Sequence, residues 1–347
     1  PGNGSRFVAR TLAQLEHKSL QHLQVAILGL GDSSYKNFCG FAHLLHNKLH
    51  QCGAQFLMDI IEVDKLDDSA LRHWQYYLGQ ISGDTQFGDW SKPAYEQWQI
   101  VARQCINPAS PGAPAYHLQL QPCASATNRE WQAGDIVEIG PRNAPDLPHR
   151  EYSIASVPSE GTLDLLVRQV RHANGELGLG SGWLTEQAPL NSPIHLRIRS
   201  NPHFHSPPAA VPLILIGNGT GIAGLRSHLA NPARAAAKHW LFFGERTQFA
   251  DDFFAADIQH WQAIGLLSRV DKVFSRDAQA GQACYVQDLL PPNAELIREW
   301  VAAGAAIYVC GSLQGMAQAV DEALVAILGP SQLEEMANQQ RYCRDVY

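Results

Sequence analysis

The chain has 347 residues, and its hydrophobic fraction of 45% is that of a protein that buries ordinary cores. That length exceeds one small domain, so two or three are expected. A net charge of −7 argues against a nucleic-acid binder or a basic membrane-surface protein, and the longest apolar runs fall far below the roughly 18 residues of a membrane span.

In chain order, "LQVAILGLGDSSY" (Leu23 to Tyr35) reads as a buried strand entering a glycine turn. A helix follows to about Gly53, then the strand "FLMDIIEVD" and a helix through Trp74 and Leu78. This β-α-β-α order is the mark of a parallel sheet. Two strands are too few for a stable sheet of that kind, and the chain opens at Pro1 without Met. A start missing upstream is therefore expected, leaving room for a membrane segment before Pro1. His43, His46 and His50 share one face of the first helix. With no acid or thiolate at ligand spacing they read as a polar face, and no metal site is expected. "SGDTQFGDWSKP" and "NPASPGAPA" bracket a predicted short helix near Tyr95 to Gln104, read together as a linker. The seven cysteines are odd in number, widely spaced and without CxxC, which suggests a reducing compartment and no disulfide framework.

From Tyr116 to about Phe204 short alternating strands follow without helices between them: "YHLQLQP", "GDIVEIG", "REYSIASVP", "TLDLLVRQV" and "PIHLRIRS". They predict a small antiparallel barrel. From Val211 the strands "LILIG", "HWLFFG", "LLSRVDKVF" and "AIYVCG" alternate with helices in a doubly wound nucleotide-binding layout. The predicted organisation is a partial parallel α/β domain over 1–83, a linker over 84–115, an antiparallel β-barrel over 116–208, and a doubly wound α/β domain over 209–347.

Three stretches carry chemistry. In "LILIGNGTGIAGLRSHL", Gly219, Gly221 and Gly224 match GxGxxG, where bare backbone and free amides receive a pyrophosphate. A plain strand-to-helix turn has the same spacing. "FFGERT" supplies Glu245 but also Arg246, and "FSRDAQAGQACYVQ" supplies Ser275, Arg276, Tyr285 and Gln287. A hydroxyl, a guanidinium and a phenol together suit a 2′-phosphate, favouring NADPH over NADH, although an exposed loop is equally compatible with the spacing. "HREYSIAS" puts Arg150 and Tyr152 on one face of a strand and Ser153 on the other. "GLGSGWL" is a second glycine turn opening a short helix. Plain barrel construction stays open for both.

These motifs, with "IYVCGSLQGMAQAVDEAL" and the terminal "RYCRDVY", occur in the order and spacing of the diflavin reductases. Residues 116–347 resemble that family, above all the flavoprotein subunit of NADPH-dependent sulfite reductase. "VAILGLGDSSYKNFCGF" resembles the second flavin-ring loop of its flavodoxin-like domain. The resemblance implies that Arg150 contacts the FAD diphosphate, that Tyr152 stacks on the flavin, and that Gly180, Ser181 and Gly182 hold the FAD pyrophosphate. It gives the NADPH pyrophosphate to Gly219, Thr220 and Gly221 with Arg246, and the 2′-phosphate to Ser275, Arg276 and Tyr285 with Gln287 beside them. Ser153, Cys310 and Asp345 would surround the nicotinamide, and Tyr347 would be a removable lid on the flavin. For FMN it leaves Gly29, Gly31, Asp32, Tyr35 and Asp64, binding being expected of the whole protein rather than of this chain.

Three departures stand out. "WQAGDIVEIGPRNAPDLPHREYSI" runs directly between two strands where the family inserts a helical connecting domain. The early flavodoxin strands and phosphate loop are absent, and basic and acidic residues over 1–83 balance at seven each, so no acidic docking face is evident. A lysine used near the 2′-phosphate is Ala283 here. The resemblance implies an NADPH-dependent flavoprotein reductase using FAD and FMN, with a heme or iron–sulfur protein as acceptor, in the cytoplasm or at the cytoplasmic face of the inner membrane. The alternatives are a flavin or ferric reductase donating from FAD in a membrane-anchored protein, and a non-catalytic NADP-binding or docking module.

Overall fold

Leucine-, valine- and aromatic-rich runs closed by glycine or proline form the strands along the chain, as their packing preference dictates. The computed structural model describes residues 20–33, 37–65, 67–83, 94–144, 147–279 and 283–347. Two units separate, Pro1–Lys92 with Asp146–Pro148, and Pro93–Pro145 with His149–Tyr347.

In the first unit β1 (Gln24–Val25) pairs in parallel with β3 (Gln55–Phe56), and β2 (Leu28–Gly31) with β4 (Ile61–Asp64). Each of the two expected strands is thus broken in two. Leu57 N donates to Val25 O and Ile61 N to Ile27 O. Between those bonds one strand advances two residues and the other four, so the ladder cannot run through. Helix α1 (Gly40–Gln51) packs Ala42 and Leu49 into a small core with Ile27, Cys39 and Ala54. Its histidines face polar or aromatic neighbours: His43 Nε2 lies 2.8 Å from Glu62, and the His46 ring sits 4.1 Å from Phe56. Helix α2 (Asp68–Ser82) is capped by Asp67, which accepts from Ala70 N at 2.8 Å.

The second unit holds two sheets. Strands β5 (Glu96–Cys105), β6 (Ala115–Pro122), β7 (Ile136–Ile139), β8 (Arg150–Ser153), β9 (Leu163–Arg168) and β10 (Pro193–Arg199) form an antiparallel sheet of order β8-β7-β10-β5-β6-β9. The helix expected near Tyr95 to Gln104 is instead β5, lying between β10 and β6. Trp98 and Ile100 alternate into a core with Leu118, Leu120 and Leu165, and that burial overrides the helix-compatible Glu, Gln, Ala and Arg between them. The segment read as a linker therefore supplies a central strand. The sheet does not close as a continuous ladder: its edge strands meet at one bridge, Ile154 opposite Leu165.

After the short helix α3 (Leu179–Gly182), strands β11 (Leu213–Asn218), β12 (His239–Glu245), β13 (Leu267–Phe274), β14 (Ala306–Gly311) and β15 (Tyr342–Val346) build a parallel sheet of order β13-β12-β11-β14-β15. Helices α4 (Ile222–Ala230), α5 (Ala255–Ala263), α6 (Ala294–Ala302), α7 (Gln318–Leu328) and α8 (Pro330–Asn338) accompany it. Side chains alternate strictly between two cores. Leu213, Leu215, Leu241, Phe243, Tyr308 and Cys310 enter one; Ile214, Ile216, Trp240, Phe242, Ile307 and Val309 enter the other. The chain winds outward from β11 through β12 and β13, then returns to lay β14 on the other side of β11. That reversal is a topological switch point, where such sheets bind ligands. None of the seven cysteines forms a disulfide. Among the described residues, no helix is long and apolar enough to cross a membrane.

Two buried histidines make this unit acid-sensitive. His228 Nδ1 lies 2.7 Å from Ser206 Oγ, with the ring edge-on to Tyr308, and burial pushes its pKa down to about 3. His239 accepts from Leu213 N at Nδ1 and meets Arg234 O through Nε2, which fixes a neutral tautomer; burial lowers it to about 4. The unfolded chain protonates both near the ordinary value of about 6.5. Stability is thus intact above that pH and falls as pH drops, by on the order of 1 kcal/mol per histidine between about pH 7 and about pH 5.5. Urea unfolding at the two pH values checks this, and a constant midpoint would contradict it.

Candidate functional site

Strand register brings three predicted residues together at the switch point. The β14–β15 ladder sets Cys310 opposite Asp345, and the β11–β14 ladder sets Gly217 opposite Cys310. From the antiparallel sheet, the Ser153 hydroxyl donates to Asp345 Oδ2 at 2.7 Å. The Cys310 thiol donates weakly to the same oxygen at 3.8 Å. Asp345 is only 7% exposed and Cys310 fully buried. Burial, with the Asp345 charge adding to it, pushes the Cys310 thiol well above the ordinary cysteine range, so it is a neutral donor and not a thiolate nucleophile. A Cβ on Gly224 would lie 3.0 Å from Cys310 Sγ and 3.4 Å from Ser153 Cβ, so the trio sits against the start of α4.

The glycine turn lies beside it. Gly219 has φ +56°, and a Cβ on Gly221 would fall 2.2 Å from the Cys310 carbonyl oxygen; only glycine permits that approach. Ser312 N donates to Asn218 Oδ1 at 2.9 Å, tying the turn after β11 to the turn after β14. The tail crosses the same place. Tyr347 N donates to Gly311 O and Leu313 N to Tyr347 O, and the Tyr347 hydroxyl reaches Thr220 Oγ1 at 3.3 Å. The ring is 42% exposed.

A second cluster forms around β8 and α3. A Cβ on Gly180 would meet Arg150 Cγ at 2.4 Å and the Tyr152 hydroxyl at 2.9 Å, so these three residues are packed together. The Ser181 hydroxyl accepts from Val170 N at 3.0 Å, and Gly182 abuts Leu177. A guanidinium, a phenol ring and a glycine-rich helix start make a donor set that fits an aromatic group carrying a diphosphate.

The residues expected at a 2′-phosphate lie at the carboxyl end of β12 and β13. Ser275 N and Arg276 N donate to the carbonyls of Glu245 and Arg246. Tyr285, 59% exposed, opens the helical turn Val286–Leu289 that contains Gln287 and packs on Gly244. Arg246 turns its guanidinium onto Gly112, with Nη1 buried and without a hydrogen-bond partner. The cation beside Gly219 is instead Arg168, the last residue of β9, which donates to Glu245 and to Ala113 O at 3.0 Å. Sequence reasoning passed over it, because nothing local links residues 168 and 245.

In the first unit Gly31 stands opposite Asp64 in the β2–β4 ladder. Asp64 accepts from Ser33 N at 2.8 Å and Ser33 Oγ at 2.6 Å, which holds its carboxyl below the usual range. Lys65 pairs with Asp32 at 3.4 Å, and Gly29 packs on Cys39 and Ala42. Tyr35 lies outside the described residues.

Among the described residues one group, Glu138, His149 and Glu151, has the spacing of metal ligands. Two guanidiniums already occupy it. Arg197 reaches Glu138 at 3.1 Å, and Arg199 reaches Glu138 at 3.4 Å and Glu151 at 3.1 Å. It reads as an ion-pair network within the antiparallel sheet.

Comparison with known proteins agrees with this layout. Residues 1–74 match the flavodoxin family and residues 215–322 the oxidoreductase NAD-binding domain family. The chain is 37% identical over 219 residues to the sulfite reductase (NADPH) flavoprotein alpha-component of Vibrio cholerae, a match covering 58% of this chain and 35% of that protein. The corresponding protein of Blochmanniella floridana is 36% identical over 217 residues, 57% of this chain and 35% of its own length. That of Bacillus subtilis is 33% identical over 220 residues, 58% and 36%. The chain thus spans about a third of the length of these relatives. A flavodoxin match ahead of an oxidoreductase NAD-binding domain, together with these relatives, supports a likeness to the diflavin reductases.

Proposed function

We propose that the protein is an NADPH-dependent flavoprotein reductase. Hydride from NADPH passes to FAD, and single electrons then go through FMN, held by the complete flavodoxin-like part, to a heme or iron–sulfur protein. The observation that carries this reading is the convergence of Ser153, Cys310 and Asp345 at the switch point, beside the glycine turn and the terminal ring. A bound flavin supplies the hydride acceptance and one-electron donation that no side chain offers. Arg150 with Gly180, Ser181 and Gly182 would bind its diphosphate, and Tyr152 its ring. Gly219, Thr220 and Gly221 would take the diphosphate of NADPH, and Ser275, Arg276, Tyr285 and Gln287 its 2′-phosphate. Asp345, oriented by the Ser153 hydroxyl, would set a fixed negative charge to balance positive charge developing on a bound nicotinamide. The cysteines without disulfides fit a cytoplasmic setting.

One observation favours a second reading, direct donation from FAD to a flavin or ferric iron in a membrane-anchored protein. β7 ends at Ile139 and β8 begins at Arg150, leaving no room for an inserted helical domain. NADPH oxidation by the purified protein separates the two. Reduction of a heme protein only by the complete protein carrying its own bound FMN supports the first, and reduction of free FMN or a ferric complex by the FAD-loaded chain alone supports the second. Failure to oxidise NADPH with either acceptor, with no flavin retained, would refute both.

Tyr347 tests the lid. Its ring must leave for nicotinamide to stack, and ring stacking is worth roughly 0.5–1.5 kcal/mol. Tyr347→Ala is therefore expected to tighten binding of NADPH and NADH alike by about two- to tenfold. Unchanged affinity for both would contradict the lid.

A further inference from the structure

Glu245 and Arg168 form an ion pair at the mouth of the glycine turn. Oε1 of Glu245 lies 3.6 Å, and Nη2 of Arg168 3.9 Å, from the point a Cβ on Gly219 would occupy. The Glu245 side chain is 5% exposed and that of Arg168 21%. Glu245 also accepts from Arg246 N through Oε2, so its carboxylate is fixed from both sides. Arg168 is fixed by Ala113 O and Glu245 and lies over the Phe253 ring at 5.5 Å.

This placement has an electrostatic consequence. A carboxylate beside Gly219 repels any diphosphate that enters the turn, and in a half-buried site the repulsion is stronger than in water. Arg168 cancels that charge. A guanidinium carries five N–H donors, of which the two bonds here use two, so donors remain for a phosphate oxygen. Arginine binds phosphate in this forked fashion without losing its charge. The Arg246 guanidinium packs against Gly112, near enough for its charge to act on both Glu245 and Arg168.

We propose that Arg168, contributed by the antiparallel sheet, is a phosphate-binding residue of the dinucleotide site, held at the Gly219 turn by Glu245. This rests on the NADPH reading above and adds a ligand from the other sheet. The dinucleotide diphosphate then joins the two sheets through one guanidinium, so its binding depends on the loop containing Ala113 as well as on the glycine turn.

The test is equilibrium binding of NADP⁺ and of adenosine 2′-monophosphate, which lacks the diphosphate, by calorimetry on the flavin-loaded protein. Arg168→Gln alone would strand Glu245, so the informative pair is E245Q against E245Q/R168Q, in which no buried carboxylate is left unpaired. The double variant is expected to bind NADP⁺ about tenfold or more weakly than E245Q, the worth of a hydrogen bond to a charged group. Both should bind adenosine 2′-monophosphate alike. Arg168→Lys keeps Glu245 paired and secures folding; it too is expected to lose NADP⁺ affinity severalfold and to keep that for the monophosphate. Equal NADP⁺ affinity across these variants overturns the assignment of Arg168, and so does equal weakening of both ligands, which would make the pair purely structural. A wild-type protein that binds neither ligand overturns the NADPH reading itself.

Discussion

Replacing Asp345 with Asn is expected to slow reduction of the bound flavin by NADPH about a hundredfold in single turnover. The substitution keeps size and an acceptor oxygen for the Ser153 hydroxyl, now 2.7 Å away, and removes only the charge. That charge sits in a nearly dry place, 7% exposed, beside a thiol that burial keeps protonated. Preorganised charge in such surroundings is worth far more than in water, because nothing reorganises as the reaction proceeds. Ser153→Ala leaves the carboxylate in place but free to turn, so its effect should be smaller, about tenfold. Melting temperature should change little in Asp345→Asn. A normal rate of flavin reduction in a folded variant would remove Asp345 from the reaction.

Replacing Glu138 with Ala is expected to cost about 3 kcal/mol of stability, the usual consequence of removing one partner from a buried ion pair. Register explains why. In the antiparallel sheet Glu138 stands directly opposite Arg197 on β10 and Glu151 on β8. Two carboxylates facing one another repel, and Arg199, 7% exposed, spans both. With Glu138 gone, Arg199 and Arg197 each lose a carboxylate that they contact. Glu138→Gln, which keeps an acceptor, should cost less than Glu138→Ala. Urea denaturation reads both, and a Glu138→Ala midpoint equal to wild type would contradict the account of this network.

Much of the fold was legible because burial wrote it as alternation. "LILIG", "HWLFFG" and "AIYVCG" send successive residues to opposite cores, and each is a strand of the parallel sheet. The glycine turn was legible because Gly221 approaches Cys310 O more closely than any side chain allows. β5 was not. Glu96, Gln97, Gln99, Ala102, Arg103 and Gln104 suit a helix, and only the core reached by Trp98 and Ile100 makes the segment a strand. The interruption between β1 and β2 escaped notice because it depends on the partner strand, which spends four residues where this one spends two. In the site, the tail motif placed Asp345 and Tyr347 by resemblance. The pairing of Arg168 with Glu245 had no local sign, because it joins two sheets. Arg246, which the motif "FFGER" suggests as a phosphate ligand, packs its guanidinium against Gly112, a contact with no local sign either.

The most direct test is to add NADPH, without oxygen, to the purified protein loaded with FAD and to follow the flavin band. The account predicts rapid bleaching with NADPH, slower bleaching with NADH, and a large loss of rate in Asp345→Asn. Flavin that stays oxidised while NADPH is demonstrably bound would contradict it.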